Sequence, residues 1–263
     1  MKKKLNELTG SKWLKYSFSI WRDIEKNLEE RTLKHPAMFP IQLAERLIDI
    51  FTNKENKIIF DPFSGSGSTI IAALMKNKEG VGFEINKEYV EMTKRRIKNI
   101  YFKNQKEINF KIYNTSIFNL EKYIKEPIVD LCITSPPYWD ILNRKRTADK
   151  KEIRTYSKLE KDLGNITDYN DFLKQIQDAF LKIKNVMKEN RYLIVIVMDI
   201  RKKSKFYPFH IDTINLLSEI GFNLKDIIIW DRQKEYNNMR PLGYPTTFII
   251  NKVHEYILIF KKE

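Results

Sequence analysis

The chain has 263 residues, 42% of them hydrophobic and 31% charged, with a formal net charge of +14. That length and composition suit a globular protein with one large core or two small ones. No apolar run reaches the roughly 18 residues of a membrane-spanning helix, and the basic MKKK start lacks the apolar stretch of a secretion signal. The single cysteine, Cys132, cannot form an internal disulfide or by itself a zinc site, so an intracellular, cytoplasmic setting is expected. The basic residues run through the whole chain; they suit a polyanionic partner, and equally the solvated lysines of a Lys-, Ile- and Asn-rich sequence, so charge leaves function open.

Residues 1–34 read as an arm or a pair of short helices, with the aromatics of SKWLKYSFSIW set among basic residues. HPAMFP then leads into a helix in which Ile41, Leu43, Ala44, Leu47, Ile48 and Phe51 recur at helical spacing, with Pro40 at its favoured start. From there the chain alternates: strand KIIF, helix 67–76, strand GVGFEI, helix 87–101, strand INFKIY, strand VDLCIT. A polar, charged stretch from Asn143 to Asn165 interrupts the rhythm. The helix DYNDFLKQIQDAFLKIKNVMK, the strand RYLIVIVMDI and a helix ending at Gly221 follow it. The last two strands, LKDIIIWD and HEYILIF, have no helix between them and are expected to pair antiparallel at one edge. Strands separated by helices argue for right-handed crossovers. The expected fold is α/β and Rossmann-like: one domain over 35–263 with a seven-stranded, mostly parallel sheet, an antiparallel last strand and helices on both faces.

In such a sheet ligands bind beyond the carboxyl ends of the strands, and DPFSGSGST, residues 61–69, lies at one of those ends. Gly65 and Gly67 permit a tight turn with close backbone approach, and the helix starting near Ser68 offers free N–H groups. Glu84 ends the next strand, where a carboxylate can accept both hydroxyls of a ribose. The third glycine of a dinucleotide fingerprint is replaced by Ile70, and the P-loop lysine is missing. Asp61 would repel a pyrophosphate but suits a cation. The turn therefore favours S-adenosylmethionine over NAD or ATP.

VDLCITSPPYWD carries a buried strand into a rigid turn at the same sheet edge. Pro136 and Pro137 fix the backbone and have no N–H, so the Pro136 carbonyl is a fixed acceptor. The Ser135 hydroxyl is a second acceptor and Tyr138 offers a ring face. Two acceptors beside an aromatic ring describe a site for a flat base bearing an amino group. Hydrogen bonds to both protons would favour a pyramidal nitrogen whose lone pair points at an incoming methyl group, and no metal is required.

HPAMFP, DPFSGSGST, GFEIN and TSPPYW resemble motifs X, I, II and IV of the amino-methyltransferases of nucleic acid, the N4-cytosine/N6-adenine family, over roughly residues 31–260. The resemblance implies S-adenosylmethionine as cofactor. SPPY is associated there with cytosine N4 and DPPY more often with adenine N6, so the implied product is N4-methylcytosine. It also implies that Asp61, Pro62, Phe63, Gly65, Gly67 and Ser68 line the methionine half of the cofactor and Glu84 its ribose. Pro36 and Phe39 of HPAMFP would pack beside the cofactor. Ser135, Pro136, Pro137 and Tyr138 would form the target-base site. At the end of the third strand, where the family often has Asp, this chain offers Ser116.

Cys132, inside a strand, reads as a small buried thiol rather than a C5-methylase nucleophile. His35, His210 and His254 lack metal-ligand spacing. Residues 142–165 form a short basic insertion in which Arg144, Lys145 and Arg146 would grip phosphates, while Arg240 and Tyr244 are further candidates for nucleic-acid contact, as is Trp139, which reads equally as a core residue. A base inside a duplex must be flipped out to be methylated. Two substrates stay open: DNA, with a short recognition sequence or a restriction endonuclease partner, and structured RNA such as ribosomal RNA, whose own shape supplies specificity. Adenine N6 targets and a homologue that binds without catalysing are lesser alternatives.

Overall fold

The structure, a computed structural model, describes residues 4–33, 38–101, 109–141, 163–202, 204–236 and 241–263. Its elements in chain order are α1 (Gly10–Tyr16), β1 (Ile20–Trp21), α2 (Leu28–Thr32), α3 (Ile41–Phe51), β2 (Ile58–Asp61), α4 (Ser68–Met75), β3 (Glu79–Phe83) and α5 (Lys87–Tyr101). Then come β4 (Phe110–Tyr113), β5 (Val129–Thr134), α6 (Tyr169–Val186), β6 (Met187–Val197), β7 (Ile200–Lys202), β8 (Lys205–Tyr207), α7 (Phe209–Glu219), β9 (Phe222–Asp231) and β10 (His254–Lys262). The main sheet runs β1-β9-β10-β6-β5-β2-β3-β4, and β7 and β8 pair as a separate antiparallel hairpin.

The central strands read as unbroken apolar runs because both faces are covered. Side chains alternate across the sheet. Leu193, Val195 and Val197 of β6 join Phe60, Cys132 and Phe260 in a core with α6 and α7. Ile194 and Ile196 join Ile59, Ile133 and Ile257 in a second core under α3 and α4.

Among the described residues the main sheet has eight strands rather than the expected seven. The extra one, β1, comes from the N-terminal arm and pairs in parallel with Ile229 and Trp230 of β9. Trp21 and Ile24 of the arm are buried in the second core, and Arg46 of α3 holds Asp23 through two hydrogen bonds of 2.8 and 2.9 Å. The arm is thus part of the fold, and its strand covers part of an edge that would otherwise expose unpaired backbone groups.

The last two strands do pair antiparallel. They form one edge of the seven expected strands, with β9 outside and the last strand, β10, between β6 and β9 and antiparallel to both. The reason is burial: Ile257, Leu258, Ile259 and Phe260 of β10 are all buried, whereas β9 alternates buried with half-exposed and exposed residues. The more apolar strand takes the inner slot.

Candidate active site

The carboxyl ends of β2, β3 and β5 bring three segments together. At the end of β2 the chain turns through Gly65 and Gly67, both at positive φ, and Gly67 caps α4 at φ 82°. A Cβ at Gly67 would lie 2.3 Å from Thr93 Cγ2 of α5, so glycine is required there by contact as well as by dihedral. Arg96, one turn further along α5, donates to the Ser66 carbonyl at 2.6 Å and pairs with Glu29 of α2 at 3.0 Å. The arm therefore braces the turn from below.

Asp61 is buried. Its carboxylate accepts from the Thr69 hydroxyl at 2.7 Å, the Thr134 hydroxyl at 2.7 Å and the Phe63 amide at 3.1 Å. The bonds join the end of β2 to α4 and to the end of β5, one residue before Ser135. Burial pushes Asp61 up to about 6, with the Thr134 and Thr69 hydroxyls and the Phe63 amide only partly offsetting it. Because the folded chain holds this proton more tightly than the unfolded chain, Asp61 favours folding most below about pH 4 and loses that contribution as pH rises through 6. The difference in stability between the wild type and Asp61→Asn is therefore expected to change by about 3 kcal/mol between pH 4 and pH 8. Urea titrations at several pH values measure it, and parallel curves would contradict the assignment.

Glu84 follows β3. Its carboxylate accepts from the Gly65 amide at 2.8 Å and the Asn86 amide at 2.7 Å, so it holds the glycine turn against the end of β3. The hydroxyls of Ser64 and Ser68, on either side of that turn, are buried with no hydrogen-bond partner among the described residues. Unsatisfied buried hydroxyls beside a glycine turn fit a polar ligand. Asp61, a buried carboxylate whose partners are neutral hydroxyls and an amide, fits a cationic one. Phe63 packs edge-on to Phe180, Pro62 is buried, and Phe39 packs against the second core beside α3. Ser116 caps the 3₁₀ turn after β4, accepting from the Phe118 amide at 3.4 Å.

β5 delivers Ser135, Pro136, Pro137 and Tyr138 to the same edge. The Ser135 hydroxyl donates to the Tyr138 hydroxyl at 3.3 Å, and the Tyr138 hydroxyl donates to the Glu255 carboxylate of β10 at 3.0 Å. Glu255 is ion-paired to Arg232, which also holds Glu235 at 2.8 Å. Although burial disfavours its charge, the carboxylates keep Arg232 protonated more firmly than a free arginine. With an ion-paired carboxylate at its end, the chain of donors runs one way, and the Ser135 oxygen keeps its lone pairs for another partner.

Trp139, a candidate for nucleic-acid contact or for the core, takes the core place, which corrects the first of these readings. It is 3% exposed, its ring lies 5.0 Å from that of Tyr169 and 5.1 Å from that of Tyr207, and Lys202 Nζ sits 3.3 Å from its centroid. Its residue position follows a turn that the surrounding aromatics bury. Tyr244, by contrast, is 80% exposed. Pro36, Arg144, Lys145, Arg146 and Arg240 lie outside the described residues, as does most of the 142–165 insertion. Cys132 is buried and its thiol is pushed well above the usual range, first by burial and then by Asp61. That keeps it protonated at neutral pH and unsuited to nucleophilic attack.

Sequence reading missed Thr69, Thr93, Arg96, Thr134, Arg232 and Glu255. Thr69 and Thr134 stand inside the quoted motifs and could have been found as donors to Asp61. The others are far from the motifs in sequence, and only packing brings them in.

An open, mostly parallel sheet with this glycine turn after β2, a carboxylate after β3 and a rigid proline turn after β5, the strand on the other side of β2, defines a Rossmann-like methyltransferase. The profile of the N6/N4 methyltransferase family, described as DNA methylase, matches residues 1–95 and 129–263, and the chain belongs to that family, whose cofactor is S-adenosylmethionine. The match includes the arm.

The orphan methyltransferase M.BamHII of Bacillus amyloliquefaciens is 42% identical over 86 residues, 31% of this chain and 32% of that protein. The type II methyltransferase M.MthZI of Methanothermobacter thermautotrophicus is 27% identical over 175 residues, 62% of this chain and 44% of its own length. The chain spans less than half the length of either relative. A solved SAM-dependent methyltransferase from Methanosarcina mazei shares the fold with a TM-score of 0.50 and 12% identity, over 80% of this chain and 93% of that one.

Proposed function

We infer that this protein methylates the exocyclic amino group of a base in DNA, with cytosine N4 as the target atom. The observation that carries the reading is the one-way hydrogen-bond chain Ser135 to Tyr138 to Glu255, which leaves the Ser135 oxygen an acceptor at the end of β5.

The bound cofactor supplies an electrophilic methyl carbon and a neutral sulfide leaving group. The residues do the rest. Asp61 places a negative charge behind the glycine turn and ties that turn to Thr134, so the cofactor side and the base side are held in one frame. Ser64, Ser68 and Glu84 are the groups that would hold the cofactor's polar atoms. Ser135 Oγ and the Pro136 carbonyl would each accept a hydrogen bond from one N–H of the amino group. That withdraws the nitrogen lone pair from the ring and turns it toward the methyl carbon, and the one excess proton of the methylated nitrogen passes to water. Orientation and preorganised acceptors of this kind supply much of an enzymatic rate enhancement.

A serine rather than an aspartate before the Pro-Pro pair favours cytosine N4 over adenine N6. The type II relatives motivate a restriction endonuclease as partner. A tritiated-methyl assay offering genomic DNA and ribosomal RNA side by side, followed by nucleoside mass analysis, tests substrate and atom together. N4-methylcytosine in the DNA is the expected product. N6-methyladenine would overturn the atom, label in the RNA alone would overturn the polymer, and label in neither would overturn the reading.

A further inference from the structure

The hairpin β7–β8 lies directly against the proline turn. Lys202 pairs with Asp140 at 2.9 Å and covers the Trp139 ring, and Tyr207 packs on the same ring. On its outer face the hairpin carries the cross-strand pair Arg201 and Phe206, both exposed, Phe206 to 44%, while Lys205, on the other face with Lys202 and Tyr207, is exposed at the end of the hairpin. The Arg201 guanidinium sits 5.4 Å from the Phe206 ring centroid, and Lys252, arriving from the segment before β10, places Nζ 5.1 Å from the same centroid. Lys205 Nζ is 4.8 Å from the Tyr207 ring.

This arrangement repels itself. Lys202 and Lys205 are direct cross-strand partners, a pairing of like charges that weakens a hairpin. Among the described residues no carboxylate forms an ion pair with Arg201, Lys205 or Lys252. Burial, and then the charge of Arg201, push the Lys252 ammonium below the ordinary lysine range. A two-stranded ribbon is marginal by itself. Like charges gathered at Phe206 and Tyr207, on a hairpin that packs on the Trp139 that follows the target-base turn, are relieved by an anion, and a phosphodiester backbone supplies one charge after another along its length.

We propose that the β7–β8 hairpin together with Lys252 is a phosphate clamp, in which Arg201, Lys205 and Lys252 grip the DNA backbone beside the nucleotide presented to Ser135. Phe206 holds the two cations that flank it in place through its ring face. The proposal rests on the reading that the Ser135 turn receives a base of DNA.

The test uses the full chain and the variant Arg201→Ala/Lys205→Ala/Lys252→Ala. Binding of a fluorescein-labelled DNA duplex and of an RNA hairpin is followed by anisotropy between about 50 and 300 mM salt, a range over which phosphate contacts are lost. For DNA the slope of log affinity against log salt is expected to become shallower by about two to three units in the variant, with affinity at low salt falling about tenfold or more. Calorimetric affinity for S-adenosylmethionine should be unchanged and the melting temperature no lower, which separates a lost clamp from a lost fold. An unchanged slope in a chain that methylates DNA overturns the clamp alone. The expected slope change in a chain that methylates nothing sustains the clamp and overturns the catalytic reading. An RNA hairpin bound more tightly than DNA, and weakened by the same substitutions, overturns DNA as the partner.

Discussion

Replacing Ser135 by alanine is expected to lower the rate of methyl transfer by about 100-fold or more, about 3 kcal/mol of transition-state stabilisation, while cofactor affinity stays within about twofold of the wild type. The Ser135 hydroxyl has one proton, and that proton faces the Tyr138 hydroxyl. Its lone pairs are what an amino group would meet, and alanine has nothing to offer there. The cofactor turn is anchored separately, through Asp61 and Glu84, so it should survive the change. Tyr138→Phe tests the direction of the chain. It keeps the ring but frees the serine proton to rotate, and about a tenfold loss in turnover at saturating cofactor is expected. Single-turnover kinetics with calorimetric cofactor titration reads both effects. Normal turnover in Ser135→Ala, or a cofactor affinity that falls in step with turnover, would remove Ser135 from the chemistry.

Gly67→Ala is expected to be the most damaging single substitution on the cofactor side. Its φ of 82° is a region that side chains avoid, which costs about 1–2 kcal/mol. The new Cβ would also press on both branches of Thr93, at 2.3 Å from Cγ2 and 2.7 Å from Oγ1. Thr93 cannot simply withdraw, because it is buried on α5 with its hydroxyl 3.3 Å from the Gly65 carbonyl. The turn must shift, and with it the Gly65 amide that Glu84 holds. Cofactor affinity should fall at least about tenfold and stability by about 2 kcal/mol. Adding Thr93→Ala removes the collision but not the dihedral strain, so the double variant should recover part of both losses. Urea titration and cofactor calorimetry of the pair decide the matter: full tolerance of Gly67→Ala would mean the turn is plastic, and no recovery in the double variant would mean Thr93 is not what confines it.

Much of the architecture was readable from local pattern. The apolar spacing of Ile41 to Phe51 gives α3, and the paired glycines after KIIF mark the turn into α4 at the strand end. Gly221 stands one residue past the C-cap of α7 at φ 84°. The proline turn also fell where its strand predicted. The short arm was harder. Ile20 and Trp21 are two residues long as a strand, too few for any alternation to be visible, and they become a strand only because β9 has a free edge beside them. The expected strand RYLIVIVMDI stops at Ile200, and the rest of the β7–β8 hairpin has no sequence signal, since its basic residues resemble any solvated turn.

The site divides in the same way. Residue types and spacing were enough to place a glycine turn, a carboxylate after the next strand and a proline turn at one edge of the sheet, because each is a local device built from consecutive residues. Which atoms those residues use was settled by tertiary contacts. Asp61 bonds to Thr69 and Thr134, Glu84 to the Gly65 amide, Tyr138 to Glu255, and Trp139 lies buried under Lys202. Periodicity reports which face of an element is apolar, and motifs report what a short backbone can do. Neither reports which distant residue will fill a given hydrogen-bonding position, since that is chosen by the packing of the whole sheet at once.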